Sequence, residues 1–174
     1  MILMEISKEL TEAINDQINF ELYSAYIYLA MASWFEEKNL PGMAQWMEYQ
    51  TDEEYFHAKK FYRHVVERGG RVIMTSIEGP KNEWSSPLDV FQEALHHEEL
   101  VTSRIYKIGD IADKEGDRAA QSMLRWFYDE QVEEEASVTE IVNHLKMIGD
   151  NVQALIMLDQ KLGARPAPTE PVAE

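Results

Sequence analysis

Four glutamates stand where four long helices should be most apolar. Counted at about 100° per residue, Glu21, Glu54, Glu98 and Glu134 each fall near the centre of the apolar stripe of a separate predicted helix. An ionised carboxylate is almost never fully buried unless it is paired or bound to a metal. A fold that gathers four of them in one core must bring cations there as well, so a metal centre is the first expectation.

The helix limits follow from sparse proline and glycine. The first helix is expected over residues 7–38, with Ser7 as N-cap. The break Asn39-Leu40-Pro41-Gly42 leads into a second helix that runs to about Arg68 and stops at Gly69-Gly70. Residues 71–86, with Gly79 and Pro80, read as an irregular crossover. The third helix begins at Pro87 behind the cap Ser86 and ends near Glu115-Gly116. The fourth spans about 117–148 and is closed by Gly149, and a short fifth covers about 151–163. Residues 1–165 are expected to form one all-α domain, and 166–174, with Pro166, Pro168 and Pro171, a disordered tail.

The crossover sets the topology. Its roughly 16 residues can span about 50 Å, more than the length of a helix of about 28 residues, about 42 Å. It can therefore return the third helix parallel to the second. One long crossover among short links describes a four-helix bundle of the ferritin-like kind, here with a short fifth helix.

Position on the stripe separates signal from coincidence. Gln50, Glu54, His57 and Phe61 share one face of the second helix. A second Glu-x-x-His match, Glu93 to His96, lies more than about 120° off its own stripe and reads as solvated surface. Glu98 and Glu134 are each 18 residues from Gly116 and so meet at one level. The fourth helix offers Gln131 and Glu134 where a symmetric di-iron bundle would repeat the Glu-x-x-His element, so the second histidine is missing.

Composition narrows the chemistry. With 32 acidic and 16 basic side chains, the formal net charge is −16. That balance disfavours nucleic acid and anionic membranes and attracts cations. Cysteine is absent, which leaves oxygen and imidazole ligands. The N-terminal residues lack a basic region and a long apolar run, and no stretch approaches a membrane span. A cytoplasmic protein is expected.

At these residues the chain resembles a non-haem ferritin of the prokaryotic type. The likeness runs from about Ile6 to Arg165. It is carried by Asn19-Phe-Glu-Leu-Tyr-Ser-Ala-Tyr-Ile-Tyr-Leu, Glu53-Glu-Tyr-Phe-His-Ala, His97-Glu98 and Trp126-Phe-Tyr-Asp-Glu-Gln-Val-Glu-Glu-Glu. The resemblance implies iron storage and a ferroxidase centre that oxidises Fe(II) with dioxygen. It assigns a first iron to Glu21, Glu54 and His57, and a second to Glu98 and Glu134 with Glu54 bridging and Gln131 nearby. It casts Tyr28 as an electron donor, although by phase alone Tyr28 reads equally well as packing. It places a third iron at Glu53, Glu130 and Glu133, which read equally well as a solvated acidic edge. The haem-binding relatives carry a Met between the Glu and His of the second helix; Tyr55 and Phe56 stand there, so haem is not expected. The family assembles as a hollow shell of 24 subunits around ferric mineral.

Two further features point to a homo-oligomer. Outside its inner stripe the first helix still carries Tyr23, Tyr26, Ile27, Met31 and Trp34. A helix apolar nearly all round is buried on more than one side. The fifth helix is too short to stand alone and is expected at a junction between subunits.

Overall fold

The computed structural model describes residues 5–170. The readings made on residues 1–4 and 171–174 fall outside them. Five helices form: α1 (Lys8–Glu37), α2 (Pro41–Glu67), α3 (Pro87–Glu115), α4 (Arg118–Ile148) and α5 (Val152–Leu162). No strand occurs among the described residues. Among them, too, no helix is long and apolar enough to cross a membrane.

Local chemistry sets the helix ends where the sequence placed them. Ser7 accepts from the Leu10 amide at 3.0 Å, and Ser86 from the Asp89 amide at 3.1 Å. Asp117 caps α4 through the Ala120 amide at 3.0 Å, and Asn151 caps α5 through the Ala154 amide at 3.1 Å. Each satisfies an amide that the first helical turn leaves open. Gly116 closes α3 in the left-handed region, at φ 66°.

Helix directions follow from the contacts. Along α1, residues 16, 24 and 35 meet Arg104, His97 and Phe91 of α3, so these helices are antiparallel. Gln50 and Phe61 of α2 meet Glu134 and Phe127 of α4 in the same sense. The crossover thus brings α3 back parallel to α2. It lies extended along α1, pinned by two asparagines one helical turn apart. Asn15 exchanges hydrogen bonds with the Arg71 carbonyl and the Ile73 amide at 3.0 and 2.8 Å. Asn19 does the same with the Ile73 carbonyl and the Thr75 amide at 3.1 and 3.0 Å.

The crossover also corrects the reading of α1. Met31 and Trp34 are buried inside the chain, and Trp34 packs edge-on against Trp84 of the crossover at 6.1 Å. Of the second face only Tyr26, joined by Leu29, is strongly exposed. Part of the apolar surface assigned to a neighbouring subunit is covered by the chain's own connection.

The core divides in two. One apolar cluster holds Leu10, Ile14, Phe61, Ile105, Leu124 and Phe127. The other holds Phe35, Met43, Trp46, Phe91, Val138 and Leu145. Between them lies a buried polar layer: Gln17, Glu21, Gln50, Glu54, His57, Glu98, Gln131 and Glu134.

The fifth helix docks on α2 and α4. The N-cap position of α2 is Leu40, whose side chain cannot cap. Asp159 of α5 takes over that role, accepting from the Met43 amide at 2.8 Å. The backbones touch at this point: a Cβ on Gly42 would lie 1.8 Å from the Asp159 carbonyl oxygen. Gly42→Ala should therefore expel α5, seen as fast hydrogen exchange across residues 152–162. Asp159→Ala should leave α5 docked by Leu158 and Leu162 and cost about 1 kcal/mol, the value of a helix cap, measured by denaturant unfolding.

Candidate metal centre

All four stripe-centre glutamates are buried in the polar layer, and none is more than 6% exposed. Each helix brings its carboxylate mid-span, where the backbone is saturated with its own hydrogen bonds. Only side chains remain to compensate the buried charge.

Ligand atoms of Glu21, Glu54 and His57 lie within 4.8 Å of one another, and so do those of His57, Glu130 and Glu134. The first group is the set expected to hold the first ion. In the second, Glu134 groups with His57 and Glu130, whereas Glu98 turns toward other partners. Glu98 Oε1 accepts from the Tyr28 hydroxyl, and Oε2 accepts from Gln131 Nε2 at 3.1 Å. Gln131 also donates to Thr102 Oγ1 at 3.2 Å. His57 Nδ1 faces Glu54 Oε2 at 3.3 Å and Nε2 faces Glu130 Oε1 at 3.8 Å. Two buried oxygens of the layer, Glu21 Oε2 and Gln131 Oε1, find no hydrogen-bond partner among the described residues. Unpaired buried acceptors are costly, and a cation is the ligand that would satisfy both. The donor set, carboxylates with one imidazole and an amide oxygen, suits iron.

Residues 11–148 match the ferritin-like domain family. The chain is 41% identical to a bacterial non-heme ferritin of Staphylococcus saprophyticus over 160 residues, 92% of this chain and 96% of that one. A bacterial non-heme ferritin of Staphylococcus aureus is 40% identical over the same shares.

The chain belongs to the ferritin family.

Solved structures agree. An open-pore ferritin from the hyperthermophilic archaeon Archaeoglobus fulgidus superposes with a TM-score of 0.92 at 46% identity, covering 93% of this chain and all of that one. A humanized archaeal ferritin does so with a TM-score of 0.93 at 45% identity, covering 95% of this chain and 100% of that one. This ferritin is therefore an iron-storage protein with the five-helix architecture of its family.

The remaining predicted positions separate by burial. Glu53 is half-buried and gripped by Arg165, with both carboxylate oxygens at 2.7 and 2.6 Å from Nη2. Glu133 is exposed. The decoy pair lies outside the layer: Glu93 joins Lys81 at 2.7 Å, and His96 is solvated. His97 is buried as packing, hydrogen-bonded to Ser24 at 2.7 Å and stacked on Phe20; burial, then His96 and Arg104, lowers its pKa to about 4. Asp113, Glu115 and Asp117, near the start of α4, accept from Gln121, Ser7 and Arg68. Sequence reasoning missed three contributors to the layer. Gln17 donates to Glu21 at 2.9 Å, Gln50 donates to Glu134 at 2.8 Å, and Arg165 reaches Gln50 from the segment after α5. Gln50 was visible by phase, but nothing in the sequence tied it to a carboxylate.

Burial dominates the electrostatics of the layer. Burial raises Glu21 and Glu98 above the ordinary carboxylate range and raises Glu54 well above it, with Glu98 adding to the last. Burial, then Glu98 and Glu53, pushes Glu134 up to about 8. For His57, burial opposes the cation, but contacts with Glu130 and Glu54 outweigh it and hold the imidazole well above its usual value. The metal-free layer therefore retains protons that a bound cation must displace.

Both shifts give stability the same pH slope. The folded chain holds protons on Glu134 and His57 that the unfolded chain, at about 4.5 and 6.5, has released. Their contribution is complete below those unfolded values and is lost as pH rises through the folded ones. Calorimetry in chelator should show the unfolding midpoint falling as pH rises from about 5 to about 8. Glu134→Gln should flatten that fall, and added divalent metal should reverse it. A midpoint that rises over this range, or an unchanged slope in Glu134→Gln, would refute the assignment.

Proposed function

We propose that this ferritin is a ferroxidase whose di-iron centre is the buried polar layer. The observation that carries it is the buried group Glu21, Glu54 and His57, whose ligand atoms lie within 4.8 Å of one another, beside two buried oxygens without a hydrogen-bond partner among the described residues. Glu21, Glu54 and His57 hold the first Fe(II). Glu98 and Glu134 hold the second, with Gln131 beside it, Glu54 shared between the two ions, and Glu130 within reach. Each Fe(II) gives up one electron, and dioxygen takes both with two protons to leave as hydrogen peroxide.

The surrounding residues support this chemistry. Burial, then the Glu98 carboxylate, raises the Tyr28 pKa well above 10, so its phenol stays protonated and holds Glu98 Oε1. From that place, in contact with a carboxylate of the centre, it is also the ring that would supply a further electron. A third ion at Glu53, Glu130 and Glu133 fills last, because it must first displace Arg165 from Glu53. The asymmetry between a histidine-bearing first site and a second site of carboxylates and an amide suits a second ion that leaves for storage.

Shell formation follows the same reading: 24 copies enclose the ferric product, and the acidic chain draws cations toward the inner surface. Neither nucleic acid nor membrane is a partner, and the protein works in the cytoplasm.

Aerobic Fe(II) titration followed by native mass measurement tests the whole proposal. The expected result is rapid oxidation that saturates at two Fe(II) per subunit, in an assembly of 24 chains. His57→Ala and Glu54→Ala should each slow the initial rate by about tenfold or more, the scale on which even outer partners of metal ligands act. Assembly should be unchanged. Wild-type initial rates in both variants would sink the site assignment.

A further inference from the structure

Two of the buried glutamines stand between a carboxylate of the layer and an arginine. Gln17, 1% exposed, donates Nε2 to Glu21 Oε1 at 2.9 Å and accepts at Oε1 from Arg104 Nε at 2.9 Å. Gln50, 0% exposed, donates Nε2 to Glu134 Oε2 at 2.8 Å and accepts at Oε1 from Arg165 Nη1. The same three-residue order, arginine to glutamine to glutamate, thus occurs twice, built from different helices.

The arginine decides which way each amide points. The two ends of a glutamine amide are nearly equal in size, but one only accepts and the other only donates. A guanidinium has donors alone, so the carbonyl must turn to it and the NH2 group to the carboxylate. Reversal would set donor against donor and acceptor against acceptor at two buried amides, where such mismatches are costly.

We propose that Gln17 and Gln50 are positioning residues, each turned by its arginine, that orient Glu21 and Glu134 for cation binding without neutralising them. This rests on the reading of the layer as a two-cation centre. A guanidinium placed directly on either carboxylate would form an ion pair and compete with the metal. A neutral amide supplies a directional hydrogen bond and leaves the carboxylate's charge to be met by the metal once the proton has gone. At Glu21 the division of labour is visible: Oε1 is held by Gln17, and Oε2 is the oxygen without a partner.

The two relays differ in how they are anchored. Arg104 lies on α3 and is fixed by Asp16 at 2.7 Å and by the Phe20 ring, 4.0 Å below its guanidinium. Arg165 lies on the segment beyond α5 and is fixed by Glu53. The Glu21 relay is therefore locked between packed helices, whereas the Glu134 relay depends on a terminal segment staying in place. The ion on the Glu134 side is the one that a change in that segment would loosen.

The test is anaerobic Co(II) titration of the assembled protein, with affinity and visible absorption followed for each class of site. Gln17→Leu should weaken the Glu21-side class by about tenfold, in the range for outer partners of metal ligands, and leave the other class unchanged. Gln50→Leu should do the converse. Arg104→Gln should weaken the Glu21-side class, and Arg104→Lys, which restores a cationic donor, should recover part of the loss. Should Gln17→Leu fail to assemble, Arg104→Gln carries the same test from a partly exposed position. Variants that bind both ions as the wild type does overturn the relays, and so do variants that weaken both classes equally, which marks a packing defect. A wild type that binds no pair of cobalt ions overturns the two-cation reading itself, an outcome distinct from failure of the relays alone.

Discussion

Burying several carboxylates in one layer of a helical bundle is the constraint from which the rest of this structure follows. An isolated ionised carboxylate in an apolar interior costs so much that it takes up a proton instead. Here burial raises Glu21, Glu54, Glu98 and Glu134 together. Such a layer is stable protonated or cation-bound, and on the proposed reading exchange between the two is the binding reaction. For that exchange to be reversible the scaffold must not collapse onto the layer when the cation leaves. Two apolar clusters, one on each side, hold the helices apart and in register. The caps at Ser7, Ser86, Asp117 and Asn151 keep helix ends from fraying toward the centre.

How much of this could be read from the sequence depended on how local each interaction is. The helix limits were legible because capping residues and glycines act within one turn. The four glutamates and His57 were legible because helical phase is a local property, and phase also dismissed Glu93 and His96. The crossover's direction followed from its length. What phase cannot show is which side chain meets which across helices. Gln17 and Arg104 are 87 residues apart, and Gln50 and Arg165 are 115 apart; no pattern within a helix joins them. Asp159 escaped notice because it caps α2 from α5, in place of the local cap that Leu40 lacks. Trp34 looked like an interface residue because Trp84, which covers it, lies in a stretch without periodicity.

The direct hydrogen bonds onto Glu21, Glu98 and Glu134 share one property: they come from neutral groups. Gln17 serves Glu21, Tyr28 and Gln131 serve Glu98, and Gln50 serves Glu134. Glu54 is the exception, since its partner His57 can carry charge. A metal must displace that proton to use the imidazole, so His57 is a cation only while the site lacks one.

Arg165 shows both arrangements in one side chain. It clamps Glu53 directly, through both carboxylate oxygens, and it touches Glu134 only through Gln50. The direct pair screens a carboxylate at the edge of the layer; the indirect one leaves a carboxylate inside it with no counter-charge of its own, so that it keeps a proton until a cation displaces it. One bond of separation is the difference between a glutamate that has its cation and a glutamate that is kept ready for one. The arginine that closes the outermost position thereby helps to shape the inner one, so an ion that took Arg165 away from Glu53 would also release Gln50. On the proposed reading, filling the edge and loosening the Glu134 side would then be a single event.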